Sequence, residues 1–332
     1  FKMPSKSKII TILEENRGTP IGGNEIANTL GISRNAVWKA ITELKEEGYD
    51  IISDRTTGYT LAADSDVISK EGVTLFLNKN GFFDKYDTDI NLYKSLKSTN
   101  TTAKELASAG CKDGTVVIAL EQTGGRGRMG RTFQSPANGG IYVSIILRPG
   151  MYAEDCVLVT TAVSVAVMRA IKKCTGKQTM IKWVNDIYLG DKKVCGILTE
   201  AVTDFETGNV ECVIPGIGIN FSSDISSLVP ESENKAGSLY ENEKPPVTRN
   251  ELLAQIIYET FELCRKPDPK SFIDEYRKYS MIIGSDVYVI KGNDKREAKA
   301  IDIDEKGGLI VKYADSGEEA VISSGEVSIR KR

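Results

Sequence analysis

The 332-residue chain contains no histidine. This absence excludes Ser-His and Cys-His nucleophile pairs, histidine-ligated zinc and H-E-x-x-H sites. Any catalysis must therefore rest on carboxylates, lysine, arginine and a metal held by oxygen ligands. Phosphoryl or nucleotidyl transfer suits this restricted set, because it depends on positioning and charge stabilisation more than on a base.

Other absences bound the class of protein. The six cysteines show no C-x-x-C pair and no regular framework, which predicts reduced, structural thiols. The longest mostly apolar stretch, residues 157–168, falls short of the ~20 residues that span a bilayer. We expect no signal peptide and no membrane segment, and hence a cytoplasmic protein. With 27% charged residues and a net charge of −3, the chain is typical of two or three globular domains.

Four glycines and three arginines occur within residues 121–131, EQTGGRGRMGR. Glycines let successive backbone N–H groups converge on an anion, and guanidinium groups bind phosphate or carboxylate oxygens in pairs. The loop therefore predicts binding of a phosphorylated or carboxylated small molecule. A solvated basic turn is the simpler alternative.

Two well-known phosphate loops match this segment weakly. Residues 125–130 satisfy G-x-G-x-x-G, and residues 125–132 nearly satisfy G-x-x-x-x-G-K-[ST]. Both motifs require a helix directly after the loop, whereas FQSPANGG at 133–140 is rich in turn residues and a strand is predicted at 141–147. Arg131 also stands where the second motif needs lysine.

The N-terminal segment predicts a winged helix-turn-helix. An amphipathic helix at 5–16 precedes two helices around Gly31, and residues 51–61 alternate as a hairpin with Gly58 near its turn. Candidate DNA contacts lie on the second helix and the wing; they are Ser33, Arg34, Asn35, Trp38, Lys39, Thr42 and Arg55. A small protein-interaction domain is the alternative.

Residues 1–63 hold eight basic and eight acidic residues, so this module is electrically neutral. Phosphate neutralisation supplies much of the affinity for DNA, so a neutral monomer should bind weakly and need dimerisation or a well-matched site.

A second cluster, MIKWVNDIYLGDKKVCGILTE at 180–200, reads as two apolar runs around a Gly190-Asp191 turn. A two-residue turn pairs Leu189 with Lys192, Tyr188 with Lys193 and Asp186 with Cys195. Asp186 and Lys193 then become diagonal neighbours on one face, roughly 7–8 Å apart at Cα, with room for an anion between the ammonium and a metal held by the carboxylate. A surface ion pair is the alternative.

A predicted strand at 213–221 alternates Gly216, Gly218 and Asn220 on one face. This pattern indicates close approach of a ligand or of another chain segment, and tight packing explains it equally well. The segment Ser98-Thr99-Asn100 reads by default as an N-cap for a helix at 101–109. Further helices are predicted at 69–78, 152–174 and 252–265, the last behind a Thr248–Glu251 capping box, and short strands from residue 286 onward predict a small all-β barrel.

Together these motifs resemble the bifunctional biotin protein ligases that double as biotin-operon repressors. The likeness rests on GRGRMGR at 125–131, KWVNDI at 182–187, GIGIN at 216–220 and GEVSIR at 325–330, and it spans essentially the whole chain. One departure is Val184, where the family usually has proline, so the local strand geometry is expected to differ.

The resemblance implies an α+β protein of three parts. These are a winged helix-turn-helix at 1–63, a central ligase domain at 64–282 similar to class II aminoacyl-tRNA synthetase cores, with a mixed or antiparallel sheet, and an SH3-like barrel at 283–332. It also implies a two-step reaction in which biotin and ATP, with Mg²⁺, give biotinyl-5′-adenylate, and a lysine of a biotin carboxyl carrier protein then takes the biotinyl group. Operator DNA and, with adenylate bound, a second copy of the chain are the further implied partners.

The resemblance further implies roles for named residues. Lys193, Arg128 and Asp186 would be catalytic, with Asp186 also holding the metal or orienting the incoming lysine. The implied biotin-binding residues are Ser98, Thr99, Asn100, Gln122, Gly125, Arg126, Gly127, Arg128, Lys193, Gly196 and Gly218. The implied ATP- or adenylate-binding residues are Arg126, Arg128, Arg131, Lys182, Asn185, Asp186, Lys193, Asn220 and Arg330.

Two rivals remain at this point. A lipoate-type ligase resembles this fold and chemistry, but its phosphate loop typically includes a histidine, which this chain lacks. A transcription factor that only senses the adenylate is the other, and the presence of both Asp186 and Lys193 argues against it.

Overall fold

A computed structural model of the chain describes residues 5–148, 156–203, 210–222, 236–265, 270–323 and 327–331, the side chains of 270 and 327–331 excepted. The chain packs as two compact units, one formed by residues 1–86 and 246–255, the other by 87–245 and 256–332. No helix among the described residues is long and apolar enough to cross a membrane.

The first unit contains the predicted winged helix-turn-helix. Its helices and strands are α1 Ser5–Glu15, α2 Gly23–Leu30, α3 Arg34–Glu46, β1 Ile51–Asp54, β2 Gly58–Leu61 and α4 Lys70–Lys79. Gly31 ends α2 at φ +64°, a left-handed conformation that glycine adopts without steric cost. Val37, Ala40, Ile41 and Leu44 form the buried stripe of α3, as the periodicity predicts.

The connection that follows the wing is held by polar contacts within this unit. Arg17 donates to the carbonyls of Ala62 and Ser65, at 3.2 and 2.6 Å. Arg249, at the start of α7 Arg249–Cys264, forms a 2.8 Å ion pair with Asp66. The neighbouring Asn250 accepts from the backbone of Ser69 at 3.0 Å. The first turn of α7 thus belongs to the unit that carries the winged helix-turn-helix.

The second unit is built on a seven-stranded mixed sheet. Its strands are β3 Ile90–Tyr93, β4 Val116–Ala119, β5 Gly140–Ile145, β6 Met180–Lys182, β7 Asp186–Leu189, β8 Lys192–Thr203 and β9 Val210–Asn220, in the order β3-β4-β5-β9-β8-β7-β6. Only the β3–β4 pair is parallel among these ladders. Helices α5 Thr99–Ser108, α6 Cys156–Thr175 and α8 Lys270–Lys278 belong to the same unit.

The C-terminal part of this unit is an antiparallel sheet of five strands. They are β10 Asp286–Lys291, β11 Asp294–Ile303, β12 Leu309–Tyr313, β13 Glu319–Ile322 and β14 Val327–Lys331, in the order β13-β12-β11-β10-β14. Val287, Val289, Ala298, Ala300 and Val311 are buried, as inward-facing positions of a small β-domain should be. The predicted α+β class, with a helix-turn-helix, a mixed central sheet and a C-terminal β-domain, is confirmed.

Several boundaries differ from prediction. Helix α5 begins at Thr99 rather than at 101, with Ser98 as its N-cap, and the Ser98 side chain makes no capping hydrogen bond. Helix α6 is described only from Cys156, so the predicted start of this helix at 152 lies outside the described residues. The polar, proline-containing segment at 222–246, which the sequence predicts to be a loop, also lies mostly outside them, at 223–235.

Candidate active site

The segment 180–200 folds as two consecutive hairpins, not the single hairpin predicted. Strands β6 and β7 pair antiparallel, with Lys182 opposite Asp186, around a three-residue turn, Trp183-Val184-Asn185. The Trp183–Val184 peptide bond is cis, at the position where the chain departs from the family pattern. The prediction failed because this turn contains none of the glycine or proline signals by which turns are recognised.

The β7–β8 hairpin has the predicted two-residue turn, with Leu189 opposite Lys192 and Tyr188 opposite Lys193. A bulge beyond Tyr188 then shifts the register, so Asp186 faces Gly196 and not Cys195 as predicted. The extra residue in β8 increases the local twist, which the two-residue periodicity of a regular ladder cannot reveal.

Lys193 and Asp186 meet directly on this hairpin. Nζ of Lys193 lies 2.7 Å from Oδ1 of Asp186, an ion-pair distance, although the contact does not have the geometry of a hydrogen bond. Both side chains are about three-quarters shielded from solvent, with 23% and 22% of their surfaces exposed. An ammonium and a carboxylate are therefore paired where they are largely shielded from water. Removing either one would leave the other charge uncompensated, which is energetically unfavourable.

Arg128 brings the glycine–arginine loop to this hairpin. Its Nη1 donates to Oδ1 of Asn185 at 3.3 Å, and Asn185 in turn donates to the carbonyl of Ile197 at 2.7 Å. Burial lowers the pKa of Arg128, and the nearby Asp186 charge opposes that effect. A guanidinium remains protonated in proteins, so Arg128 is a partly desolvated positive charge near the Asp186 carboxylate.

The rest of the loop folds back on itself. Gly127 donates to the carbonyl of Arg131 at 2.7 Å, and Phe133 donates to the carbonyl of Gly125 at 3.0 Å. Arg126 Nη2 donates to the Thr101 hydroxyl at 2.8 Å, which ties the loop to helix α5. Met129 adopts φ +55°, an uncommon conformation for a residue with a side chain.

A buried polar network lies at the start of α5. Oε1 of Gln122 accepts from the Thr99 backbone at 2.9 Å, and its Nε2 donates to the Ser135 hydroxyl at 2.9 Å. The Ser144 hydroxyl donates to Oδ1 of Asn100 at 2.6 Å. Asn100 donates to Oε2 of Glu200 at 2.8 Å, and Glu200 also pairs with Lys104 at 2.5 Å. Thr99 and Gln122 are thus in direct contact, Ser98 lies beside them as the buried N-cap of α5, and Asn100 is engaged by its neighbours.

Glycines on β9 and on the adjacent strand β8 pack closely against side chains of other elements. A Cβ on Gly216 would lie 2.1 Å from Oδ1 of Asn100, and one on Gly218 would lie 2.5 Å from the Phe133 ring. A Cβ on Gly196 would lie 3.3 Å from Nζ of Lys193 and 3.4 Å from Phe133. Phe133 was not predicted as a site residue, because a single aromatic after a polar loop gives no signal beyond ordinary packing.

The remaining nucleotide candidates lie on different elements of the second unit. Asn220 is buried and donates to the carbonyl of Gly237 at 3.0 Å, while Nζ of Lys182 stands 5.8 Å from the centroid of the Tyr188 ring. Arg131 is exposed. Arg330 lies in β14 opposite Tyr288, and its side chain is outside the described set.

Neighbouring groups in the site do not compete as nucleophiles or bases. Burial raises the pKa of Tyr188 to about 12 and raises the pKa of Tyr276 well above its ordinary value. Burial likewise raises the pKa of the Cys195 thiol, which stays protonated. All six cysteines are free in the structure.

Asp186 is the residue in this site that fits a divalent cation. The described residues contain no group of three or more acidic or cysteine side chains that would hold a metal by themselves. Mg²⁺ in nucleotide enzymes is commonly held by one or two carboxylates together with phosphates and water. Asp186 supplies one carboxylate of this kind, with its Oδ1 buried and in ion-pair contact with Lys193.

The first unit presents a second candidate surface, for DNA. Ser33, Arg34, Asn35, Lys39 and Arg55 are exposed, and Trp38 exposes 62% of its surface. The Ser33 hydroxyl accepts from the backbone of Ala36 at 3.2 Å and so caps α3. Thr42 is half-buried and bonds to the Trp38 carbonyl at 3.0 Å.

Comparison with known proteins agrees with this layout. Residues 92–220 match the Biotin/lipoate A/B protein ligase family, 6–60 an HTH domain and 282–330 the Biotin protein ligase C terminal domain. The chain is 32% identical to the bifunctional ligase/repressor BirA of Bacillus subtilis, over 92% of this chain and 93% of the relative. It is 26% identical to the Escherichia coli protein of the same name, over 97% and 96%. A biotin protein ligase from Aquifex aeolicus, solved with biotin and ATP, aligns with a TM-score of 0.61 and 29% identity over 74% of this chain and 99% of that one.

Proposed function

The chain belongs to the family of bifunctional biotin protein ligases and repressors, and from that membership we propose how its own residues carry out the reaction. The protein is an ATP-dependent biotin ligase with the DNA-binding module of a repressor. The observation that carries the assignment of residues is the meeting of the glycine–arginine loop with the β7–β8 hairpin, through Arg128, Asn185, Asp186 and Lys193.

In the first step, a carboxylate oxygen of biotin attacks the α-phosphorus of ATP, and the bond to pyrophosphate breaks. The carboxylate is already ionised at neutral pH, so the step needs charge stabilisation and no base, in keeping with a chain that lacks histidine. Lys193 contacts the biotin carboxylate and the α-phosphate in this proposal. Arg126 and Arg128 close over the adenylate, and Gly125 supplies a backbone N–H group, since the N–H of Gly127 donates to the Arg131 carbonyl.

Asp186, the acidic partner of Lys193 in the ion pair, acts in both steps of the reaction. When bound, Mg²⁺ neutralises charge on the phosphates, and Asp186 would hold it. In the second step, the amine of a carrier-protein lysine attacks the biotinyl carbonyl, and the bond to AMP breaks. Asp186 orients the lysine in our proposal, because its carboxylate attracts the cationic side chain, which loses one proton to water before it attacks and a second as the amide forms.

The other residues divide between the two substrates. Ser98, Thr99, Gln122, Gly196 and Gly218 line the biotin pocket, with Asn100 behind them. The support is the polar network at the start of α5, the position of Gly196 beside Lys193, and the packing of Phe133 against Gly196 and Gly218. Lys182, Asn185, Arg131, Asn220 and Arg330 belong to the nucleotide side.

Exchange of labelled pyrophosphate into ATP, with biotin present, tests the central assignment. We expect Lys193→Ala to lose on the order of a hundredfold or more in exchange rate, the scale of removing one preorganised charge-stabilising group. The matched control is Lys192→Ala, because Lys192 is exposed, pairs with Glu241 at 2.5 Å and precedes Lys193 on the same strand. Equal exchange by Lys193→Ala and wild type would refute the role of Lys193.

Transfer to a carrier separates the ligase from a protein that only senses the adenylate. Incubation of the full chain with biotin, ATP and a biotin carboxyl carrier domain should add one biotinyl group to the carrier, measured by mass spectrometry. Adenylate formation without transfer would support the sensor instead. Modification of the carrier with lipoate in place of biotin would support a lipoate ligase.

We propose further that the adenylate promotes homodimers and that the dimer binds operator DNA. The neutral charge of residues 1–63 supports this, because two half-sites compensate for weak binding by one module. Sedimentation velocity with biotin and ATP should show a heavier species than the chain alone. A monomer under both conditions would contradict the proposal.

A further inference from the structure

Trp183 links the active-site turn to the C-terminal sheet. It is the first residue of the β6–β7 turn, and only 4% of its surface is exposed. Its indole Nε1 donates to the carbonyl of Gly307 at 2.9 Å. Gly307 lies in the connection between β11 and β12, 124 residues further along the chain.

The β11–β12 connection is held in one conformation before it meets Trp183. Oδ1 of Asp304 accepts from the backbones of Lys306 and Gly308, at 2.9 and 2.7 Å. Gly307 adopts φ +83°, a conformation that favours glycine, and a Cβ on it would lie 2.8 Å from Cγ2 of Thr161 in α6. The Gly307 carbonyl is therefore presented by a tight turn that is packed against the central part of the unit.

The residues that follow Trp183 carry the contacts of the active site. The carbonyl of Val184 accepts from Tyr276 Oη at 3.0 Å. Asn185 accepts from Arg128, and Asp186 pairs with Lys193. A three-residue turn leaves little freedom between these positions, so a displacement of Trp183 shifts Asn185 and Asp186 with it.

We propose that the C-terminal sheet positions the active-site turn through the Trp183–Gly307 hydrogen bond, and that Trp183 and Gly307 are positioning residues for adenylate formation. The inference rests on the proposed function of Asn185, Arg128 and Asp186. Trp183 acts indirectly. Its indole Nε1 bonds to Gly307 of the C-terminal sheet, and Asn185, two residues further along the same turn, makes the contact with Arg128.

Trp183→Phe tests the hydrogen bond directly, because it keeps an aromatic ring and removes the donor. We expect kcat for adenylate formation to fall about tenfold, the scale of one lost hydrogen bond that orients a reacting group. The KM for biotin should change by less than about twofold, since the biotin pocket at α5 does not include Trp183. The melting temperature of each variant is measured in parallel.

Gly307→Ala tests the same contact from the other side, and Gly317→Ala is its matched control. Both glycines lie in turns of the C-terminal sheet at positive φ, +83° and +69°, but a Cβ on Gly317 would meet nothing within 4 Å. The two variants share the cost of a left-handed alanine, and only Gly307→Ala displaces the contact with Trp183 and Thr161. We expect the roughly tenfold loss of kcat in Gly307→Ala alone.

A double-mutant cycle distinguishes positioning from general destabilisation. Combining Trp183→Phe with Asn185→Ala should cost less than the product of the two single effects, because both act on one contact to Arg128. Trp183→Phe combined with Gly317→Ala should be multiplicative. Wild-type kcat in Trp183→Phe, or multiplicative effects in both pairs, would overturn the inference. Failure of the wild-type chain to form adenylate at all would instead refute the proposed function.

Discussion

Arg128 donates to Asn185 across 3.3 Å, although the two residues lie 57 positions apart in the chain. The contact joins the glycine–arginine loop to the turn that precedes Asp186. The loop and the hairpin are distant in the sequence, and this contact places them side by side, as the proposed chemistry requires.

Removing this contact should loosen retention of the intermediate. We expect Arg128→Ala to speed escape of preformed biotinyl-adenylate by roughly ten- to a hundredfold, the scale of one hydrogen bond to a charged group. Met129→Ala is the control, because Met129 lies in the same loop with 58% of its surface exposed. The measurement is release of labelled adenylate after a chase. Identical escape from Arg128→Ala and Met129→Ala would show that Arg128 does not hold the intermediate.

Gly216 should not tolerate a side chain. A Cβ there would lie 2.1 Å from Oδ1 of the buried Asn100. We expect Gly216→Ala to lower the free energy of unfolding by about 1–3 kcal/mol, the usual cost of overpacking. Denaturation in urea measures the change. Adding Asn100→Ala should recover part of the loss relative to Asn100→Ala alone, and a Gly216→Ala midpoint equal to that of wild type would contradict the packing described here.

Glu200 should make stability depend on pH in a defined direction. Burial raises the pKa of its carboxyl, but hydrogen bonds from Lys104 and Asn100 and the Lys104 charge outweigh burial and leave the pKa below its ordinary value. A carboxyl with a lower pKa in the folded state stabilises the protein above its unfolded pKa. That contribution is lost as pH falls through the folded pKa.

Glu200→Gln should therefore lower the free energy of unfolding by about 1 kcal/mol at neutral pH, and the gap to wild type should close in acid. Urea denaturation across the acidic range measures this gap. Glu211→Gln is the control, since Glu211 is exposed on the adjacent strand β9. A gap that stays constant down to pH values where carboxylates are protonated would count against an ionic role.

Lys39 should contribute to DNA binding through phosphate neutralisation. We expect Lys39→Ala to reduce the slope of log affinity against log salt by about one on a random-sequence duplex. Lys70→Ala is the control, because Lys70 is exposed in the same unit but lies on α4, outside the helix-turn-helix. Fluorescence anisotropy over a range of salt concentrations gives the slopes. An equal reduction in both variants would place the contact elsewhere than on α3.

The sequence predicted those parts of the site that depend on local chemistry. The turn at Gly190 was predicted correctly because glycine is a local sequence signal for a turn, and Gly190 does adopt φ +60°. The Trp183–Asn185 turn was missed because distant groups hold it, namely Gly307, Tyr276 and Ser164.

Other features depend on tertiary packing in the same way. The bulge in β8 changes the cross-strand partner of Asp186, and no residue type in the sequence marks its position. Phe133 is recognised as a site residue only from its packing against Gly196 and Gly218. The three domains predicted from the order of motifs remain predictions.

Residues 246–255 belong to the first unit, so two segments that are distant in the sequence, 1–86 and 246–255, form that unit. An N-terminal truncation intended to abolish operator binding would therefore leave a C-terminal remnant of that unit behind. Cutting after residue 63 preserves Asp66 and Ser69 for Arg249 and Asn250, whereas cutting after residue 86 strips both from the beginning of α7. The first cut is the one to choose when ligation is to be studied apart from repression.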